Sequence, residues 1–296
     1  MKTQPHPPLS LLVTLAHRAF VFLFLCLCAT LGAQQQPKVV KAHSVSAARP
    51  QGMAIHGDAA FLLGDFGTCR IFDLKNEKII AEFDLASADP PNHANCASFG
   101  PEYPKGNNQF PALYISECAK PFRCFVESVG NAGPRLIQTL RLDSKKILFM
   151  ANWYVDKENK FLWCIAMRTF EKDAEQNNTF SMIKLPLPPL GKKRVVFTEA
   201  DIIEEFQIKY YNMTQGGCIR GDYLYLPVGV HDLLRGEHEK WRERAVIIVN
   251  LKTKKIERKI NLHASIPNEP EDVDFHGDTM LMHCGNPGGI YRLLGI

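Results

Sequence analysis

The sequence predicts an all-β protein, a five-bladed β-propeller built from four-stranded antiparallel blades. Two pairs of matching segments carry this prediction. "RIFDLKNEKIIAEFDL" (70–85) matches "IIVNLKTKKIERKINL" (247–262), and each is a strand, a lysine-flanked turn and a second strand. "QGMAIHGDAAFLLGDFG" (51–67) matches "QGGCIRGDYLYLPVG" (215–229), and each has a Gly-Asp turn between two strands. Four antiparallel strands in a repeat of about 40 to 60 residues are typical of a propeller blade.

Three less regular copies complete the predicted ring. The second blade contains "HANCASFG", "ALYISEC", "RCFVESV" and "RLIQTLRL". The third contains "NWYVDKENKFLWCIAM", "FSMIKLPL" and "KRVVFTE". The fifth begins with "EDVDFHGDTMLMHCG" and ends with "GIYRLLGI", which gives only three strands. We therefore expect "KVVKAHSV" (38–45) to supply its outer strand, because this closes the ring and removes an exposed strand edge.

Two segments lie outside the repeat. "HDLLRGEHEKWRER" (231–244) and "ADIIEEFQIKYY" (200–211) have the periodicity of short amphipathic helices. We interpret the second segment as a connector with one or two amphipathic turns. If it is instead a degenerate blade, the propeller has six blades.

Residues 1–33 have the features of a signal peptide. A start that contains Lys2 and Arg18 leads into the apolar run "FVFLFLCLCATLGA", and Leu31 and Ala33 form a cleavage site. The run is short for a membrane span, and an uncleaved anchor helix is the alternative. We therefore expect residues 34–296 to form the propeller domain of an exported protein with no membrane span after cleavage. Its location is then the periplasm, the cell surface or the extracellular medium.

The charge balance argues against two classes of partner. The formal net charge is +4, and it falls to +2 when Lys2 and Arg18 are removed with the signal peptide. So small a charge predicts no nucleic-acid partner and no electrostatic attraction to a membrane. Hydrophobic residues make up 46% of the chain, enough for a packed core. We expect a monomer.

Seven cysteines follow residue 33, and an odd number leaves at least one thiol free or paired between molecules. Cys118 and Cys124 enclose a short turn, which makes them a candidate disulfide. The alternative is that both are small buried apolar side chains, as we expect for the other five.

Polar residues begin all five inner strands, which line the central channel of a propeller. In chain order they are Gln51, His93 with Asn95, Asn152, Gln215, and Glu271 with Asp272. Loops on the same face add Arg168 and His231. We expect these residues to form a ligand site at the channel mouth. The alternative is that the amides of Gln51, Asn152 and Gln215 tie neighbouring blades together, since buried polar groups are regularly paired.

The side-chain types limit the chemistry of such a site. His93, Asn95, Glu271 and Asp272 offer nitrogen and oxygen ligands without a zinc spacing, so calcium is the metal they favour, and no other cofactor is indicated. Glycoside hydrolysis needs two facing carboxylates, whereas adjacent acids on one strand point to opposite faces. The sequence therefore favours a propeller that binds a small molecule, a glycan or a protein. The alternative is a channel-mouth hydrolase or lyase acting on a glycan or nucleotide, with calcium as its cofactor.

The segment "NHANCASFGPEYPKGNNQFPALYIS" (92–116) and the two matched hairpins carry a resemblance to a known group. With them the chain resembles the uncharacterised secreted five-bladed β-propellers of Bacteroides-type bacteria, and more loosely the YncE/YVTN-like propellers. This resemblance extends over about 260 residues, the whole predicted domain. It implies the propeller fold and export to the periplasm or cell surface, and it supplies no catalytic residue.

Overall fold

The computed structural model describes residues 37–88, 92–145, 147–169, 178–229, 243–285 and 288–296. These residues form twenty-one β-strands in five separate sheets, and they contain no α-helix. Two single turns of 3₁₀-helix occur, at Asp65–Gly67 and Glu199–Asp201. The five sheets are the blades of a five-bladed β-propeller, so the predicted fold class is confirmed.

Each blade runs outwards from an inner strand at the channel to an outer strand at the rim. Blade 1 comprises β2 (Pro50–His56), β3 (Ala59–Gly64), β4 (Thr68–Asp73) and β5 (Lys78–Asp84). Blade 2 comprises β6 (Cys96–Phe99), β7 (Leu113–Ser116), β8 (Cys124–Gly130), β9 (Gly133–Leu142) and β13 (Arg194–Phe197). Blade 3 comprises β10 (Met150–Asp156), β11 (Phe161–Met167), β12 (Asn178–Pro186) and β14 (Glu204–Tyr210). Blade 4 comprises β15 (Cys218–Arg220), β16 (Tyr223–Val228), β17 (Ala245–Asn250) and β18 (Lys255–Asn261). Blade 5 comprises β19 (Pro270–His276), β20 (Thr279–Cys284), β21 (Gly289–Leu294) and β1 (Lys38–His43).

The first strand of the described chain closes the ring, as the sequence predicts. β1 pairs antiparallel with β21, with Lys38 opposite Leu294 and Lys41 opposite Tyr291. Blade 5 is therefore built from both ends of the described chain. This arrangement pairs the outer edge of β21, which is otherwise free to pair with another chain.

Blades 1 and 4 share the irregularities of their strand pairing as well as their sequence repeat. The register of blade 1 shifts between Ile71 and Phe72, and that of blade 4 shifts between Ile248 and Val249, at matching positions. The Gly-Asp turns also match, since Gly57 and Gly221 have φ values of +56° and +57°. A side chain would be strained in this left-handed conformation, so glycine suits the turn.

The outer strand of blade 3 differs from the sequence interpretation. The segment at 204–210, interpreted as part of a connector, is β14, and it pairs antiparallel with β12. The segment "KRVVFTE", interpreted as the outer strand of blade 3, contains β13, which pairs in parallel with β9 of blade 2. Packing explains the exchange: Phe197 is buried with the core between blades 2 and 3, whereas Ile208 is buried with the core between blades 3 and 4. With β14 in blade 3, no sixth blade is formed by this segment.

The hydrophobic core is divided among the five interfaces between neighbouring blades. One cluster lies between each pair, as expected for faces that must be covered by the next blade. Phe61 of blade 1 meets Phe99 of blade 2 edge to face, with ring centroids 5.0 Å apart. The cluster between blades 5 and 1 includes Met53 and Leu281, which shows that the last interface is packed like the others.

All seven cysteines beyond residue 33 are buried free thiols. Cys118 and Cys124 are therefore not joined. Cys124 lies opposite Ser116 within blade 2, whereas Cys118 forms an isolated bridge with Ala151 of blade 3. Among the described residues no helix is long and apolar enough to cross a membrane.

Candidate functional site

Three of the predicted mouth residues form a chain of amide hydrogen bonds across neighbouring blades. Asn95 Nδ2 donates to Asn152 Oδ1 at 3.1 Å, and Asn152 Nδ2 donates to the carbonyl of Gln215 at 2.9 Å. Gln215 Nε2 then donates to Glu269 Oε1 of blade 5. All three amides are buried. Their donors are occupied by the protein itself, which favours the alternative interpretation that these amides tie blades together.

Asp272 lies among the inner strands of the propeller, and it is not part of an open polar ring at the channel mouth. Its carboxylate accepts four backbone N–H bonds, and each oxygen accepts two of them. Oδ2 accepts from Met53 at 2.8 Å and Ala97 at 3.1 Å, and Oδ1 accepts from Gly217 and from Val273, the latter at 2.8 Å. One side chain thus connects the inner strands of blades 1, 2 and 5 with the residue that precedes β15 of blade 4.

The glycines beside the axis explain how Asp272 fits. A Cβ atom on Gly216 would lie 2.2 Å from Asp272 Cγ, so the carboxylate occupies the space of that missing side chain. Gly217, with φ +146°, presents its N–H to the carboxylate. Burial raises the pKa of the Asp272 carboxyl well above its usual range, and the four N–H donors oppose that shift.

Glu271 points away from the axis, as expected for the neighbour of Asp272 on a strand. It lies where the pairing of β19 with β20 shifts register, and only 5% of its surface is exposed. Among the described residues, none donates a hydrogen bond to its carboxylate. Burial, followed by the charges of Glu269, Asp272 and Asp65, raises its pKa well above the usual range. A Cβ atom on Gly285 would lie 2.9 Å from Glu271 Oε1, so that glycine gives the carboxylate its room.

His93 is held at the mouth by Asp65 of blade 1. His93 Nδ1 lies 3.0 Å from Asp65 Oδ1, and the histidine side chain is 42% exposed. The residue after each of these has a left-handed backbone: φ is +69° for Phe66 and +47° for Ala94. Such conformations are unfavourable for residues other than glycine, and they cluster at functional sites. The Asp65–His93 pair is the part of the ring most like a preorganised site.

The remaining three predicted residues are Gln51, Arg168 and His231. The Oε1 atom of Gln51 is buried without a hydrogen-bond partner, and its carbonyl accepts from His283 Nδ1 at 2.9 Å. Arg168 follows β11, and its Nε atom is likewise buried without a partner. His231 lies outside the described residues.

Sequence reasoning did not select two acidic residues that lie near the predicted mouth residues. Glu269 receives the Gln215 bond, and Glu117 is fully buried and paired with Arg123 at 2.5 Å. In the sequence, Glu269 lies two residues before Glu271, within "NEPED", and Glu117 directly follows β7. The repeat compares strand starts, and neither residue is at the start of a strand.

Within the described ranges, no group of three or more His, Cys, Asp or Glu side chains converges closely enough to hold a metal ion. The expected preference for calcium therefore stays a prediction. The carboxylates of the mouth supply hydrogen-bond acceptors, and burial raises the pKa of Glu271 and Asp272.

Two surface cavities lie away from the mouth. One of about 730 Å³ is lined by Lys105, Asn107 and Arg135 on blade 2. Another of about 290 Å³, lined by Trp163, Lys184 and others, lies between blades 3 and 4. Neither cavity is lined by any of the predicted mouth residues.

No protein-family model matches the chain, and no curated protein matches it. Solved structures with similarity include Kuenenia stuttgartiensis hydrazine synthase, with a TM-score of 0.42 and 11% identity over 79% of this chain and 61% of that one. Myxococcus xanthus glutaminyl cyclase gives a TM-score of 0.49 and 11% identity over 88% and 94% of the two chains. A glucose dehydrogenase gives a TM-score of 0.45 and 10% identity over 86% and 99%. At these values none of them bears on the function of this chain.

Proposed function

We propose that this chain is an exported binding protein that holds its ligand at one sector of the channel mouth. The sector is formed by Glu271 of blade 5, Gln51 and Asp65 of blade 1, and His93, which precedes β6 of blade 2. We call it the mouth sector. The ligand is a small molecule, a glycan or an exposed group of a partner protein. Export rests on the sequence of residues 1–33, which lie outside the described part of the chain.

The buried carboxylate of Glu271 is the observation that carries this proposal. A buried carboxylate without a donor costs stability, and such groups persist where they serve a ligand. By contrast, the amides of Asn95, Asn152 and Gln215 make hydrogen bonds within the protein. We therefore propose that the ligand contacts the mouth sector and not the whole predicted ring of polar residues.

Ligand screening with matched variants tests the proposal. Purified protein is screened by thermal shift against glycans, amines, nucleotides and peptides, and each hit is repeated with Glu271→Gln and with Glu127→Gln. Glu127 of β8 is also buried, but it accepts N–H bonds from Ala86 and Ser87, which follow β5 of blade 1. We expect Glu271→Gln alone to abolish the hit. Hits that both variants retain would place the ligand elsewhere.

An enzyme is the second candidate, and one arrangement favours it. Burial and the neighbouring carboxylates, Asp65 among them, raise the pKa of Glu271, and Asp65 contacts His93. A carboxyl group with a raised pKa near a histidine–carboxylate pair is suited to general acid–base catalysis of hydrolysis or elimination. Turnover of a glycan or nucleotide, with or without calcium, that is lost in both Glu271→Gln and His93→Asn would establish this candidate. Binding without turnover would exclude it for the substrates tested.

A further inference from the structure

Several carboxylates are grouped around Glu271. It lies close enough to Glu269, Asp272 and Asp65 for the three carboxylates to influence its protonation. The acceptor positions of Asp272 are filled by backbone N–H groups, and Asp65 contacts His93. Glu271 is thus the buried member of the group whose oxygens face no donor among the described residues.

Within the described residues, neither Glu271 nor Asp65 forms an ion pair with a lysine or arginine, and Asp65 pairs with His93. Arg123 is engaged with Glu117, and the guanidinium of Arg49 lies over the ring of Phe66, 5.2 Å from its centre. Gln51 of the adjacent blade adds a second buried oxygen without a donor. A matching ligand group must therefore supply both N–H donors and positive charge.

The geometry favours a nitrogen cation over a metal ion. Calcium requires six to eight oxygens at about 2.3–2.6 Å. The described residues contain no group of three acidic, histidine or cysteine side chains arranged to hold a metal. An ammonium or guanidinium group has several donors that reach oxygens at about 2.7–2.9 Å, and it tolerates acceptors that are farther apart.

An exposed aromatic ring borders the acids. Phe66 directly follows Asp65, and 45% of its surface is exposed. The Arg49 guanidinium already lies over this ring, so the exposed part of Phe66 offers apolar contact to the hydrocarbon stem of an amine.

From these features, and resting on the function proposed above, we infer that the ligand presents a primary ammonium or guanidinium group that binds against the Glu271 carboxylate. The same chemistry is found in free amines and in the basic side chains of peptides. The experiment must therefore separate the two sources.

Calorimetric titration of the purified protein tests this inference. The small probes are 1,5-diaminopentane, L-lysine and L-arginine, with N,N′-diacetyl-1,5-diaminopentane as the uncharged match for the diamine and calcium chloride as the metal. The peptide probes are short glycine-rich peptides with an acetylated N-terminus and one lysine, one arginine or one acetyl-lysine. Each probe is used up to about 10 mM, which detects dissociation constants in the millimolar range. The variants are Glu271→Gln and the remote Glu127→Gln, with Asp65→Asn in case Glu271→Gln fails to fold.

We expect at least one charged probe to bind, its acetylated match to bind at least about tenfold more weakly, and Glu271→Gln to weaken the charged probe about tenfold or more. Glu127→Gln should bind as the parent protein does. Binding of the peptides alone identifies a protein ligand, and binding of the small amines identifies a metabolite.

Three outcomes would overturn the inference. Equal binding of the charged probes and their acetylated matches, or binding of calcium alone with dependence on Glu271, would refute the cationic nitrogen while leaving the mouth sector as the binding site. If no charged probe binds, and a ligand found by screening is unaffected by Glu271→Gln and Asp65→Asn, the inference and the proposed function fail together.

Discussion

At the scale of single residues, we expect Asp272 to contribute more than the other polar side chains of the site to the stability of the propeller. Its two oxygens accept four backbone N–H bonds from residues of four blades. The identity of this residue as a carboxylate matters because an amide has only one acceptor oxygen. An asparagine would direct its own N–H₂ group at two N–H donors.

We therefore predict that Asp272→Asn lowers the free energy of unfolding by about 3 kcal/mol or more, because two buried donors lose their acceptor. Urea denaturation measures the loss. Asp58→Asn is the control, since Asp58 is largely exposed and pairs only with His276 at 2.9 Å. We expect less than about 1 kcal/mol for that variant. Equal effects of the two substitutions would contradict the role of Asp272.

Two buried groups should give the stability opposite dependences on pH. Burial lowers the pKa of His283 to about 4, so its contribution is complete above pH 6.5 and is lost as the pH falls towards 4. Burial raises the pKa of Asp274 to about 6, so its contribution is present below pH 4 and is lost as the pH rises towards 6. Relative to the parent protein, His283→Gln should lose stability at pH 7 compared with pH 4, and Asp274→Asn should gain it. Each change is about 2–3 kcal/mol, read from unfolding curves at both pH values. Parallel pH profiles for all three proteins would show that neither group titrates as described.

Glu271 should reduce stability in the absence of ligand. Its raised pKa means that folding disfavours the charged form, so its contribution is lost as the pH rises above the value of an unfolded glutamate. We predict that Glu271→Gln raises the melting temperature at pH 8 and has less effect at pH 4. A residue retained for binding at the expense of stability is expected to behave in this way. A lower melting temperature at pH 8 would indicate that Glu271 holds the structure together.

The residue-level site was only partly predictable. Comparison of strand starts identified Glu271, His93 and the three amides, because the repeat places them at equivalent positions. It did not separate the amides that bond to neighbouring blades from the acid that lacks a donor. That difference depends on side-chain neighbours from other blades, such as Asn152 beside Asn95, and the spacing within one chain does not reveal it.

At the scale of elements, the closing strand β1 has the most direct consequence for stability. Its Val39 packs against the core between blades 4 and 5, whereas Val40 is exposed. We predict that deletion of residues 34–46 causes aggregation or a large loss of stability, since it leaves β21 as an open edge. Val39→Asp should cost about 2 kcal/mol in urea denaturation, and Val40→Asp should be close to neutral. A soluble deletion variant with an unchanged melting temperature would contradict the closure.

The exchange of β13 and β14 shows what an alternating pattern leaves open. The segment at 204–210 alternates polar and apolar residues, and the segment at 194–197 is a short apolar run with two β-branched residues, so either is suited to an outer strand of blade 3. The pattern does not specify whether a strand pairs in parallel or antiparallel, or with which blade. Burial of Ile208 and Phe197 in different cores decides the pairing.

At the scale of the whole molecule, the number of blades and the closure of the ring were predictable from the sequence. The matched hairpins fix the unit, and a final blade with three strands implies that the missing strand comes from the other end of the chain. The five cores between blades follow from this unit. Ligand identity does not follow from the fold, since one fold supports many functions.

The most direct test of the central claim is a crystal structure of the protein soaked with 1,5-diaminopentane. We expect density for the amine in the mouth sector, with a nitrogen about 2.7–2.9 Å from a Glu271 carboxylate oxygen. An empty mouth, with the amine bound only in the cavity beside Lys105 and Arg135 or between blades 3 and 4, would contradict it.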